Sequence, residues 1–223
     1  MTRAAPGPLR LEPTGPEDLD AMLAALGFDR PRPVLTLIGG AARLDPALAE
    51  PLGALLRALA PRLETLDATV VDGGTDCGVM AQMGRARAVC HARFPLLGVA
   101  PRATVAPHGT TRAEPNHSHL VLIPGARWGD ESPWIRRISA LLAGPRPRLT
   151  LAVGGGEITR LDLELALAEP APLLLLAGSG GSTAALLARW HRGGLEHRAA
   201  IEALDLAAPT ATLAARIAAR LAA

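Results

Sequence analysis

Residues Val70–Met80 read VVDGGTDCGVM. An apolar run, ATVVD at 68–72, passes through Gly73-Gly74 and two small polar residues into a helix-like start. A chain that leaves a buried strand this way lets something approach its backbone closely, because glycine has no Cβ and tolerates the conformations a tight turn demands. The pattern recurs. VLTLI (34–38) ends in Gly39-Gly40, LTLAV (149–153) ends in Gly154–Gly156, and PLLLLA (172–177) ends in the cluster Gly178 to Gly181. LLGVA (96–100) and HLVLI (119–123) complete six short aliphatic runs.

Segments with helical patterning separate these runs. One begins at Pro16-Glu17-Asp18, another is capped by Asp45-Pro46 and runs to about Ala60, and others reach about His91, Leu142 and Pro170. Thr183 opens another, and PTATLAARIAARLA (209–222) is the last. Continuous apolar strands alternating with helices predict a parallel sheet covered on both faces. The expected fold is α/β: a Rossmann-like three-layer α/β/α sandwich whose mainly parallel sheet has about six or seven strands. Residues 1–30 read as an N-terminal arm and short helix, and 31–223 as a single ligand-binding domain.

Composition narrows the function. The chain has 223 residues, half of them hydrophobic, with three Trp, two Phe and no Tyr, so Leu, Val, Ile and Ala must fill the core. It contains no Lys, and the net charge is only +2. The arginines are scattered, which gives no reason to expect a duplex nucleic acid partner. Residues 1–15 lack the apolar segment of a signal peptide, and no apolar stretch approaches the roughly 20 residues of a membrane span. A cytoplasmic location with no membrane partner is expected. Cys77 and Cys90 on one helix would stand about 20 Å apart, too far for a disulfide.

In a parallel sheet every strand C-terminus lies on one edge, so four glycine clusters line one crevice. Helix N-termini there offer free N–H groups and positive partial charge, which favour anions. The expected ligand is therefore phosphorylated. The binding candidates are Gly39, Gly40, Gly73, Gly74, Thr75, Gly154, Gly155, Gly156, Thr159, Gly178, Ser179 and Gly180, with Ser182 as a further hydroxyl donor. The P-loop lysine is impossible here, and the three-glycine dinucleotide fingerprint is missing after the first strand, which disfavours NTP hydrolysis and ordinary NAD-dependent dehydrogenation.

Together these motifs resemble the SLOG superfamily, in its prokaryotic branch similar to the N-terminal domain of melastatin-type TRP channels (LSDAT). The markers are GGTDCGVM (73–80), GVAP (98–101), EPNHSHLVLIPG (114–125), LAVGGGEIT (151–159) and LLLLAGSGGSTAALLA (173–188). The resemblance implies a Rossmann-like domain that binds a nucleotide-derived ligand, ADP-ribose or NAD-related, as a sensor with no resident cofactor. A more distant resemblance, to the Lonely Guy phosphoribohydrolases, implies N-glycosidic hydrolysis. Their motif Gly-Gly-any-Gly-Thr-any-any-Glu falls on Gly155-Gly156 and Thr159, with Ile158 in place of the second Gly and Asp162 in place of the Glu. Catalytic candidates under that reading are Asp162 and Glu157. The related DprA proteins imply single-strand DNA binding, which nothing in the charge pattern recommends.

The remaining polar residues have two readings each. Asn116 and His117 bind the ligand or tie down their loop; His117 and His119, on one side of an extended chain, are too few for a metal site. Asp72 accepts from a ribose hydroxyl or closes a turn. Asp76 reads as a helix N-cap, and Asp130 or Glu131 contacts a ribose or caps the next helix. Trp128 stacks on a base or packs its loop, Arg136 and Arg137 face solvent, and the Ala-rich last helix packs on the core or in a homo-oligomer.

Overall fold

The computed structural model describes residues 7–40 and 46–222. Eight strands form one sheet: β1 (Leu9–Leu11), β2 (Val34–Gly39), β3 (Thr69–Asp72), β4 (Leu96–Pro101), β5 (His119–Ile123), β6 (Arg148–Val153), β7 (Leu173–Ala177) and β8 (Ile201–Asp205). Seven helices connect them: α1 (Leu19–Ala25), α2 (Pro46–Thr65), α3 (Gly78–Val89), α4 (Ser132–Ala143), α5 (Glu157–Leu167), α6 (Gly181–His191) and α7 (Thr210–Ala222). The order is β1-β5-β4-β3-β2-β6-β7-β8, and every pairing is parallel.

The six expected strands are present, and two more flank them. β1 arises within the segment read as an arm: Leu9 and Leu11 align with His119 and Val121 of β5. β8 pairs along its whole length with β7. The Asp45 cap lies outside the described residues, while α2 runs on to Thr65.

Alternation along the strands builds both layers of core. Leu35 and Leu37 of β2 join Leu52, Leu55, Leu56 and Leu59 of α2, with α3 and α7 beside them. Val34 faces the other way, toward α1 and α4, and Ile38 toward α5 and α6. Thr36 shares that second face, where its hydroxyl meets Ser139 Oγ of α4 at 2.8 Å. Leu213, Ala214, Ile217 and Leu221 of α7 fall at helical spacing and are buried in the first layer, so the apolar stripe of the last helix packs inside its own fold.

The chain runs outward from β2 through β3, β4 and β5 on one side, and through β6, β7 and β8 on the other. The direction of progression reverses between β2 and β6. At such a point the loops beyond two neighbouring strand ends diverge and open a crevice. Among the described residues no helix is long and apolar enough to cross a membrane.

Candidate ligand site

A cavity of about 800 Å³ occupies that crevice. The ends of β2 (Gly39, Gly40), β3 (Gly73, Thr75), β6 (Gly154–Gly156) and β7 (Ser179–Gly181) line it, together with Thr159 and Asp162 of α5. Trp128, Glu131 and Ile135 close one side, and Cys77 and Met80 another.

The β6 and β7 loops are locked together through their carbonyls. Gly154 O accepts from the Thr183 N–H at 3.0 Å and from its hydroxyl at 2.9 Å. Gly155 O accepts from Ser182 N–H at 2.9 Å, and Gly156 O from the Ser182 hydroxyl at 2.7 Å. The first turn of α6 thus consumes the carbonyl side of the β6 loop. On the amide side, Gly154 N–H donates to Ser179 Oγ at 2.8 Å. The N–H groups of Gly155, Gly156, Gly180 and Gly181 meet no protein acceptor among the described residues. With the N-termini of α5 and α6 beside them, they form a concavity of donors suited to an anion.

Two glycines here differ in what a side chain would meet. Gly181 has φ +57°, and a Cβ on it would collide with the Gly155 carbonyl oxygen. Gly156 would carry a Cβ into open space, with nothing within 4 Å.

The opposite wall is acidic. Glu131 is 5 % exposed, and its Oε2 accepts from Gly129 N–H at 2.7 Å. Burial lifts its pKa to about 7, with the charges of Asp162 and Asp130 adding to the shift against the nearby N–H groups of Glu131 and Gly129. Asp162 is 7 % exposed, and its Oδ1 has no hydrogen-bond donor. Burial raises its pKa too, opposed by the nearby Ser132 hydroxyl and the charge of Arg136. Glu157, at the mouth of the cavity, is turned outward to Arg160 in an exposed ion pair.

The family model described as "SLOG in TRPM, prokaryote" matches residues 32–215, nearly the whole parallel sheet. The chain belongs to this prokaryotic SLOG family. Solved structures share the fold of this SLOG chain. The X-ray structure of TM1055 has a TM-score of 0.58 at 21% identity, covering 82% of this chain and 96% of its own. The molybdenum cofactor binding protein from Rippkaea orientalis has 0.58 at 14%, covering 86% and 98%. The molybdenum cofactor carrier protein from Chlamydomonas reinhardtii has 0.56 at 20%, covering 86% and 99%. A search of curated proteins returned no match.

Four of the candidate residues of the SLOG chain lie outside the cavity. Gly74, at φ +65°, packs its Cα against Gly98 of β4. Gly178, at φ +85°, turns the chain after β7. His117 is buried between Asp72 and Glu114, and Asn116 donates its side-chain amide to Glu114 at 2.6 Å. Burial works against a charge on His117, but Asp72 and Glu114 outweigh it and raise the pKa to about 9. Asp72 takes the turn role as well, accepting from Gly74 N–H at 2.7 Å.

Several local expectations are corrected. The hydroxyls of Ser179, which lines the cavity, and Ser182 donate to the carbonyls of Leu176 and Gly156. Cys77, not Asp76, is the N-cap of α3, and it makes no side-chain cap. Glu131 is the N-cap of α4 but makes no side-chain cap; its carboxylate and that of Asp130 accept from N–H groups of the preceding loop. Arg136 is buried, paired with Glu169 and Thr150. His119 packs against Phe28, away from His117, and no metal-holding cluster occurs among the described residues. Gly181, Ile135 and Thr111 line the cavity although sequence reasoning did not single them out. For Gly181 the signal was present in the GSGGS run; for the other two no local signal exists.

Proposed function

We propose that this SLOG chain binds a nucleotide-derived ligand carrying a phosphate or diphosphate, related to ADP-ribose or NAD, and acts as a sensor for it. The observation that carries this reading is the convergence of unpaired N–H groups from Gly155, Gly156, Gly180 and Gly181 on one cavity at the switch point. Backbone amides at helix N-termini hold a phosphate without a lysine, which this sequence lacks. Trp128, partly exposed on the cavity wall, offers a face on which a base can stack. The ligand class is that of the SLOG family.

A second reading, N-glycosidic hydrolysis, is favoured by one observation. Asp162 is a buried carboxylate with an unpartnered oxygen at the cavity wall, placed to stabilise positive charge on a departing ribosyl group. A thermal-shift panel with ADP-ribose, NAD, AMP and cyclic ADP-ribose, each mixture assayed for breakdown, separates the two. A ligand at 100 times its Kd adds about 2.7 kcal/mol of stability. A shift with intact ligand supports the sensor, released base supports the hydrolase, and no shift with any compound refutes the ligand class.

A further inference from the structure

The glycine cradle uses the N-termini of α5 and α6. A third helix, α3, also starts at the cavity: Cys77, its N-cap, and Met80, in its first turn, both line it. The Cys77 side chain makes no cap. Val79 N–H donates to Gly40 O at 3.2 Å, while the N–H groups of Gly78 and Met80 meet no acceptor among the described residues. An uncapped helix start leaves such donors open and carries positive partial charge.

Thr75, just ahead of this helix start, lines the cavity and is 2 % exposed. Its carbonyl accepts from Cys77 N–H at 2.8 Å, and its backbone bridges to Ala113. Its hydroxyl makes no hydrogen bond to any described residue. Buried polar groups nearly always have a partner, because an unmade bond forfeits the hydration given up on burial. This hydroxyl is left for something in the cavity. Thr111, two residues before Ala113, adds a second hydroxyl to the same wall. Asp76 is exposed and does not line the cavity, so no carboxylate opposes an anion here.

Gly40 separates this wall from the cradle. Its carbonyl holds Val79 N–H, and a Cβ on it would stand 3.5 Å from Gly155 Cα. Because β3 and β6 flank β2, the starts of α3 and α5 lie roughly two strand spacings, about 10 Å, apart. That is farther than two phosphorus atoms sharing a bridging oxygen. We infer that the N-terminus of α3, with Thr75, is a second phosphate seat, and that the ligand is a nucleotide phosphorylated at two positions of its ribose. This rests on the nucleotide reading above and narrows it: one phosphoryl group lies on the glycine cradle, the other across Gly40 on α3.

The test uses the full chain, with AMP, adenosine 2′,5′-bisphosphate and adenosine 3′,5′-bisphosphate titrated by calorimetry into wild type, Thr75→Val and Thr75→Ser. Wild type should bind at least one bisphosphate about tenfold or more tightly than AMP, the value of one good hydrogen bond to a charged group. Thr75→Val removes the hydroxyl and should bring that gain down to about threefold or less with AMP affinity unchanged, which also shows that the variant is folded. Thr75→Ser keeps the hydroxyl and should keep the gain. In wild type the favoured bisphosphate should slow alkylation of Cys77 by iodoacetamide more than saturating AMP does. AMP bound as tightly as both bisphosphates overturns the second seat. So does a gain that survives in Thr75→Val, a variant that weakens AMP to the same degree, or equal protection of Cys77. Failure of all three nucleotides on wild type overturns the nucleotide reading with it.

Discussion

The imidazole of His117 donates through Nε2 to Asp72 Oδ1 at 2.8 Å, joining two residues 45 apart in sequence. Its Nδ1 donates to Glu114 Oε2 at the same distance. Asp72 in turn accepts from Gly74 N–H, so one buried cation fixes the turn that carries Gly73 and Thr75 into the cavity. The network supports that turn, and Asp72, Glu114 and His117 do not themselves line the cavity.

Replacing His117 by Ala leaves two buried carboxylates without their cation and is expected to cost about 3–5 kcal/mol, measured by urea unfolding at pH 7. The pH dependence separates this charge effect from lost packing. His117 titrates near 9 in the folded protein and near 6.5 unfolded, so its contribution is complete below 6.5 and lost as pH rises through 9. Wild type should lose up to about 3 kcal/mol across that window. The variant should lack that slope, and parallel curves would refute the buried imidazolium.

Two glycines of the cradle should respond differently to a methyl group. Gly181→Ala drives its Cβ into the Gly155 carbonyl at a positive φ and should destabilise the chain by several kcal/mol. Gly156→Ala meets nothing within 4 Å and should fold normally. Its methyl projects where a phosphate would rest, so nucleotide affinity should fall at least about tenfold with Tm unchanged. A Gly156→Ala protein that binds as well as wild type would move the anion elsewhere.

The glycine turns and the six central strands were legible because each depends on local chemistry: an apolar run buried on both faces, then a residue able to turn sharply. β8 was not. IEALD carries Glu and Ala, poor strand formers, and its first three residues are only half-buried. It is a strand because it pairs with β7 and because Glu202 is held by Arg216 and Arg220 of α7. The same limit applies to the site. Sequence showed that Asn116, His117, Ser179 and Ser182 were polar residues flanking predicted strands, but not which way they point. Ser179 and Ser182 turn inward to satisfy loop carbonyls, a demand visible only once β6, β7 and α6 are assembled.

Glu131 should make the chain less stable as pH rises. Its folded pKa of about 7 lies above the ordinary 4.5, so the folded state binds the proton more tightly. The stability this supplies is present below 4.5 and lost as pH climbs to 7. Glu131→Gln, which carries no charge to bury, should therefore be more stable than wild type at pH 8, by at most about 3 kcal/mol. The gap should close at pH 4.5. A variant weaker than wild type at pH 8 would mean that the carboxylate is stabilised by contacts beyond Gly129.

Trp128 and Cys77 give two independent reports of occupancy. Of the three tryptophans only Trp128 lines the cavity, so a nucleotide that stacks there should quench fluorescence in wild type and not in Trp128→Phe. Trp128→Ala should weaken binding by about 1–3 kcal/mol, the range for a base on an aromatic face. Cys77 lies at the cavity edge, whereas Cys90, at the far end of α3, hydrogen-bonds Arg57 O outside it. Saturating nucleotide should therefore slow alkylation of Cys77 by iodoacetamide and leave Cys90 unaffected, read by peptide mass spectrometry. Equal protection of both thiols would indicate a general tightening of the fold, and protection of neither, with quenching observed, would confine the ligand to the α4–α5 side of the cavity.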